Sequence, residues 1–226
     1  MSVEFTIISI GALSHNRLWG ESGAARTAHA TTTLVADGEK LILVDPSLPP
    51  TVLAARFNER TGRGLADVTE VFCTTLRPVH RRGIAALPEA KWWCGEMELI
   101  RYSDHLAELA ASADRLNTED LQAVKEDQKL LERFSPAPEK LTEQVQLFPL
   151  LGPSVGSCGL LLTPPTTTVV IAGDAALTAG HVERGQVWAG CADAEAAMES
   201  LQSIIEVADV IVPGHDNVML TAKRWF

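Results

Sequence analysis

The sequence predicts a mixed domain of strands and helices, α/β or α+β by pattern alone. Three observations predict it. Runs rich in Val, Ile and Leu end in short polar or glycine turns near residues 45, 74, 173 and 214. These runs fall into two strand-rich halves. A charged stretch with helical spacing separates the halves, and a second amphipathic helix lies inside the later one.

In chain order, residues 3–10 are β-rich and make a first strand. Residues 11–30 form a long loop carrying His15, Trp19 and His29, and a loop of this length in a compact domain is usually functional or mobile. A hairpin follows, 31–35 with 40–45, across the turn 36–39, where Asp37-Gly38 is a strong turn signal. Its second arm is apolar throughout, as a strand buried on both faces would be. Residues 51–60 have helical spacing, with Val52, Leu53 and Phe57 on one side and Gly62 at the end. Residues 71–75 make a buried strand, 76–82 a tight polar loop and 83–87 a helix, with a short strand at 91–94. Residues 95–140 read as helical and charged. Leu121, Val124, Leu131 and Phe134 form one stripe there, acids stand near its start, and Pro136 and Pro138 end it. The stretch reads as an insertion covering one edge of a pocket, or as a plain surface hairpin. Strands follow at 144–151, 159–163 and 167–172, then a helix at 193–208 and a final buried strand at 210–212.

The chain has 226 residues, one large domain or two small ones, enough for a sizeable core. Its net charge of −10 argues against nucleic acid and anionic membranes as partners, since both require a basic face. No apolar run approaches the ~20 residues of a membrane span. Cys73, Cys94, Cys158 and Cys191 lie far apart with no Cys-x-x-Cys pair, which suits reduced, buried thiols and a cytoplasmic setting.

The stretch around which the chain is organised is 71–87, VFCTTLRPVHRRGIAAL. It resembles the segment by which metallo-β-lactamase-fold hydrolases are recognised, where a strand ends in Thr-His-x-His-x-Asp-His before a glycine and a leucine. Thr74, His80, Gly83 and Leu87 match that frame. Thr75 and Arg77 stand where two metal-binding histidines would be, and Val79 stands where the aspartate would be. Further along, Gly152, Gly156 and Ser157 match, but Pro153 replaces another histidine. Gly173-Asp174 and Pro213-Gly214-His215 match the two remaining motifs, and the hairpin ends Val44-Asp45-Pro46-Ser47 where the family has Val-Asp-Thr-Gly. The resemblance covers the whole chain by order of elements. It implies an α+β fold, a single four-layer αββα sandwich over residues 1–226 with a helical insertion at about 95–140.

By that resemblance, the losses at Thr75, Arg77 and Pro153 fall on one metal site, and the aspartate lost at Val79 belongs to the other. Threonine is a poor zinc ligand, proline is none, and arginine is always protonated. The other site keeps His80, Asp174 and His215, and two imidazoles with a carboxylate suit one zinc or iron ion with open positions. The resemblance therefore implies a one-metal hydrolase of a small ester, thioester, lactone or phosphoester, with water as nucleophile. The alternative is an inactive member with no metal, in which Arg77 pairs with Asp174 and the old cleft binds a small ligand or partner. Arg77, Thr75 and Arg81 are then the candidate ligand-binding residues, with Arg81 and Arg82 adding positive charge at the mouth. A third reading takes Gly152-Pro153-Ser154-Val155-Gly156 as a serine-hydrolase elbow with Ser154, Asp174 and His215 as triad. The glycines and apolar run after Ser154 argue against it, because the elbow requires a helix there.

Overall fold

The computed structural model describes residues 2–23, 25–112 and 117–221. Its strands form two six-stranded sheets. The first holds β1 (Glu4–Ser9), β2 (Thr32–Asp37), β3 (Lys40–Val44), β4 (Glu70–Cys73), β5 (Lys91–Cys94) and β6 (Phe134–Pro136), paired in chain order. The second holds β7 (Lys140–Thr142), β8 (Val145–Pro149), β9 (Cys158–Leu162), β10 (Val169–Gly173), β11 (Val210–Pro213) and β12 (Met219–Leu220), also in chain order. Strands β3 to β6 run parallel, as do β10 and β11. The helices are α1 (Pro50–Thr61), α2 (Pro78–Arg81), α3 (Glu96–Ala111), α4 (Thr118–Leu131), α5 (Ala179–Glu183) and α6 (Ala194–Val207).

Strand periodicity sorts the apolar side chains into layers. On β3, Leu41 and Leu43 pack with Leu53 and Phe57 of α1 and with the buried residues of α3 and α4. Ile42 and Val44, on the other face, pack with Leu160, Ile171 and Val212 of the second sheet. On β10 the pattern is mirrored: Val169 and Ile171 face the first sheet, while Val170 and Ala172 pack on Leu201 and Ile204 of α6. The result is a four-layer αββα sandwich, as the motif order implies.

Local chemistry sets the helix ends. Pro50 opens α1 with a φ that suits a first turn, and Gly62 closes it at φ 68°, where its N–H reaches the Asn58 carbonyl. The Asp193 side chain caps α6 by accepting from the Glu195 and Ala196 N–H groups.

Several expected elements differ in detail. The 76–82 loop is itself partly helical, because Pro78 starts α2, and the helix expected at 83–87 is a single 3-10 turn, Ile84–Ala86. The 95–140 stretch is not helical to its end: Phe134 lies in β6, where it pairs with Trp92 of β5 and extends the first sheet. The expected four-residue hairpin turn is tighter, since Asp37 pairs directly with Lys40 and only Gly38 and Glu39 turn. The long first loop is closed by a bridge between Ala12 and His29 and holds a 3-10 turn, Arg17–Trp19.

Candidate metal centre and its cavity

The site is assembled where four strands end. Asp45 follows β3, Thr74 follows β4, Asp174 follows β10, and His215 lies two residues past β11. Two glycines allow that convergence. Gly173 has φ 54°, and a Cβ on it would come within 2.4 Å of the Thr74 hydroxyl. A Cβ on Gly214 would meet the Gly173 backbone at 2.7 Å.

Asp45 is the one described non-glycine residue with positive φ, 49°. Aspartate tolerates that region better than most residues, and such backbone persists where the surroundings over-determine it. Its buried carboxylate accepts the Thr74 N–H at 2.9 Å, the Thr74 hydroxyl at 2.7 Å and the His80 Nδ1–H at 3.0 Å.

His80, on α2, is fully buried. Its Nε2 lies 3.2 Å from Asp174 Oδ1, but the approach is not aligned as a hydrogen bond, and that nitrogen has no other partner among the described residues. His215 Nε2 lies 3.1 Å from the same oxygen, and its Nδ1–H donates to the His29 carbonyl at 2.9 Å. Each ring therefore has an acceptor opposite both nitrogens. A neutral imidazole carries only one N–H, so the junction of two Nε2 atoms and Oδ1 calls for extra protons or a cation. The three ligand atoms lie within 4.8 Å of one another and can hold a metal ion. Nδ1 bonds to a carboxylate and to a backbone carbonyl are the supports that metal-ligating histidines use.

Without a metal, the electrostatics resolve through protonation. Burial works against charge on His80, but Asp174 and Asp45 outweigh it and raise the pKa to about 10. Burial likewise opposes the Asp174 charge, and His80 and His215 overcome it to hold that carboxyl well below its usual range.

Arg77 stands in the chain where the family motif has a metal-binding histidine. Its Nη1 donates to Asp174 Oδ2 at 2.8 Å, its Nη2 donates to the Pro153 carbonyl, and its guanidinium carbon sits 4.2 Å from the centre of the Trp188 ring. The other expected ligand-binding residues turn elsewhere. Thr75 donates to Glu98 Oε1 at 2.7 Å, and Ser154 donates to Glu98 Oε2 at 2.5 Å. Glu98, on α3, thus ties down the loops on both sides. Strand β9 follows Ser154 without an intervening helix, so the nucleophile elbow is absent. Arg81 corrects the expectation of free charge at the mouth: it is 5% exposed and forms a forked pair with Asp127 of α4 at 2.6 and 3.0 Å. Arg82 remains exposed and donates to the Ala28 carbonyl.

A cavity of about 760 Å³ opens over this floor. Arg77, Asp174 and His215 line its base, with Val79 where the family has an aspartate. Its walls carry Leu13, Leu18, Leu177, Val187, Trp188 and Met198, and His15 and His181 also reach it. Asp45 carries a local signal in the sequence, an acid closing an apolar strand, whereas His181, Glu98, Trp188 and Asp127 carry none and are brought to the site by folding.

Comparison with known proteins agrees with the geometry. A family model described as the metallo-beta-lactamase superfamily matches residues 26–215. No curated protein matches the chain. Among solved structures, a metallo-beta-lactamase-type protein from Thermotoga maritima aligns with TM-score 0.70 at 15% identity, over 97% of this chain and 100% of that one. AidC, a dizinc quorum-quenching lactonase, aligns with TM-score 0.66 at 16% identity, over 82% and 72%. A variant of B. thuringiensis AiiA with N-decanoyl-L-homoserine at its active site aligns with TM-score 0.64 at 17% identity, over 96% and 94%. With its layered sheets, its Gly-Asp and Pro-Gly-His strand ends and a matching model over most of its length, the chain belongs to the metallo-beta-lactamase superfamily.

Proposed function

We propose that this chain is a divergent hydrolase of its superfamily that works with a single metal ion. The observation that carries the reading is the junction of His80 Nε2, His215 Nε2 and Asp174 Oδ1, three acceptor atoms facing one another in a buried site. Those residues would hold the ion, and two imidazoles with a carboxylate suit zinc or iron(II). Bound there, the ion would supply Lewis-acid chemistry, polarising a carbonyl or phosphoryl oxygen and lowering the pKa of a water. The protein's own contribution is orientation. Asp45 and the His29 carbonyl fix the Nδ1 atoms, so both Nε2 atoms point at Asp174. Apolar side chains, Leu13, Leu18, Leu177, Val187 and Met198 among them, line the cavity above the floor. The ligand is a small molecule, and an ester, thioester, lactone or phosphoester is the class of bond cleaved. The lactonase among the structural neighbours supports the ester-like end of that range. Four free cysteines support a reducing, cytoplasmic setting. No helix among the described residues is long and apolar enough to cross a membrane.

One observation favours a second reading. The Arg77–Asp174 pair already supplies a positive charge to the shared carboxylate, as an inactive, ligand-binding member with no metal would require. Elemental analysis separates the two, on protein purified without chelator and again after incubation with zinc, iron(II) and manganese(II). About one equivalent, lost in His80→Ala and His215→Ala, is the expected result. No metal under any condition overturns the hydrolase reading and leaves the second.

A further inference from the structure

The cavity carries a charge opposite to that of the chain. The protein has a net charge of −10, yet Arg17 and Arg77 line the cavity, and Asp174 is the only carboxylate lining it among the described residues. That carboxylate is already engaged by Arg77 and His215. Arg17 makes no ion pair with a described residue and is itself exposed on the partly buried first loop, beside the apolar Leu18. Arg77 uses two guanidinium N–H groups, on Asp174 and the Pro153 carbonyl, of the five that an arginine offers. Trp188 lies against its face, which holds the guanidinium flat. Leu13, Leu18, Leu177, Val187 and Met198 give the lining an apolar share, beside the polar Ser14, His15, His181 and Gln186, and Met198 remains 41% exposed.

From this juxtaposition we infer that the cavity binds a small anionic amphiphile. Its carboxylate lies on Arg77 and Arg17, and its unbranched apolar tail lies along Leu18, Val187 and Met198. A cationic head would meet two arginines, and a neutral head would leave Arg17 without an ion pair among the described residues and the free N–H groups of Arg77 unused. The inference rests on the proposed site only in sharing its cavity, and it does not require the metal.

The test is calorimetry on the full chain after chelator treatment, with octanoate as probe and 1-octanol, octylammonium and acetate as comparisons. Octanoate is expected to bind at least tenfold more tightly than octanol, with octylammonium and acetate weaker still. From hexanoate to octanoate the affinity rises about tenfold, the order set by ~0.8 kcal/mol for each buried CH₂. Arg77→Met weakens octanoate at least tenfold while octanol changes less than twofold. Because Arg77 also neutralises Asp174, Arg17→Met is the second variant, with a three- to tenfold loss and an unchanged melting temperature. Equal affinity for octanoate and octanol, no dependence on chain length, or wild-type octanoate binding in Arg17→Met would each overturn the inference. Octanoate binding by a protein that takes up no metal removes the hydrolase reading alone. One metal equivalent without octanoate binding removes this inference alone.

Discussion

The Arg77 guanidinium donates to Asp174 Oδ2 at 2.8 Å, while the other oxygen of that carboxylate faces two imidazoles. One carboxylate therefore serves two sources of positive charge. A metal bound by His80 and His215 would share Asp174 with Arg77, and like charges on one carboxylate repel.

Removing the arginine should therefore favour the metal. Arg77→Met is expected to bind zinc or cobalt(II) at least tenfold more tightly than the wild type, measured by calorimetry and by the visible spectrum of the cobalt form. Unchanged affinity would mean that the guanidinium and the ion do not compete.

Asp174 is also the counter-ion of a buried network. Asp174→Ala leaves Arg77 and His80 without it and is expected to cost about 3–5 kcal/mol, the range for breaking one side of a buried pair. Guanidinium unfolding monitored by circular dichroism reads the loss directly.

The same network predicts a pH dependence in the metal-free protein. The His80 pKa stands at about 10 in the fold against 6.5 in the unfolded chain. Its contribution is complete below about pH 6.5 and is lost as pH rises through about 10. The lowered Asp174 pKa is the other side of the same interaction and is counted once. Melting temperature should fall between pH 7 and 10, and His80→Gln should flatten that slope. An equal slope in the variant would assign it to another group.

Arg81 links the site to the outer helices. Its pair with Asp127 is joined by Tyr102 of α3, whose hydroxyl donates to the same carboxylate at 2.9 Å. Asp127→Ala strands a buried guanidinium and is expected to cost about 3 kcal/mol. Limited proteolysis should then cut α3 and α4 faster than the sheets.

The thiols give an independent check on the core. Burial raises the pKa of Cys73 and Cys94, and pushes that of Cys158 up to about 11. Cys191 is only half-buried. A thiol reagent at pH 8 should label one cysteine in the folded protein and four after denaturation, and Cys191→Ser should abolish the native signal. Rapid labelling of a second thiol would show that a sheet opens.

Much of the fold is legible along the chain because its signals are local. Leu41 to Val44, Val169 to Ala172 and Val210 to Val212 are apolar runs of strand length. The Leu53–Phe57 spacing and the Asp193 cap mark α1 and α6 from neighbouring residues alone. Strand β6 escaped notice because three residues are too few for a period, and Phe134 is extended only because Trp92 pairs beside it.

The sequence by itself determined the run of strands and helices and, through the resemblance of its short motifs, the layered fold and the survival of His80, Asp174 and His215, since each motif is a few residue types at fixed local spacing. Tertiary structure alone decided which charges those residues meet. Arg77 and Arg81 are four positions apart and look alike in sequence. One turns into the cavity to reach Asp174, 97 positions away, and the other turns outward to Asp127, 46 positions away. Ion pairs form between side chains that folding brings within hydrogen-bond distance, and no local pattern records which carboxylate that will be.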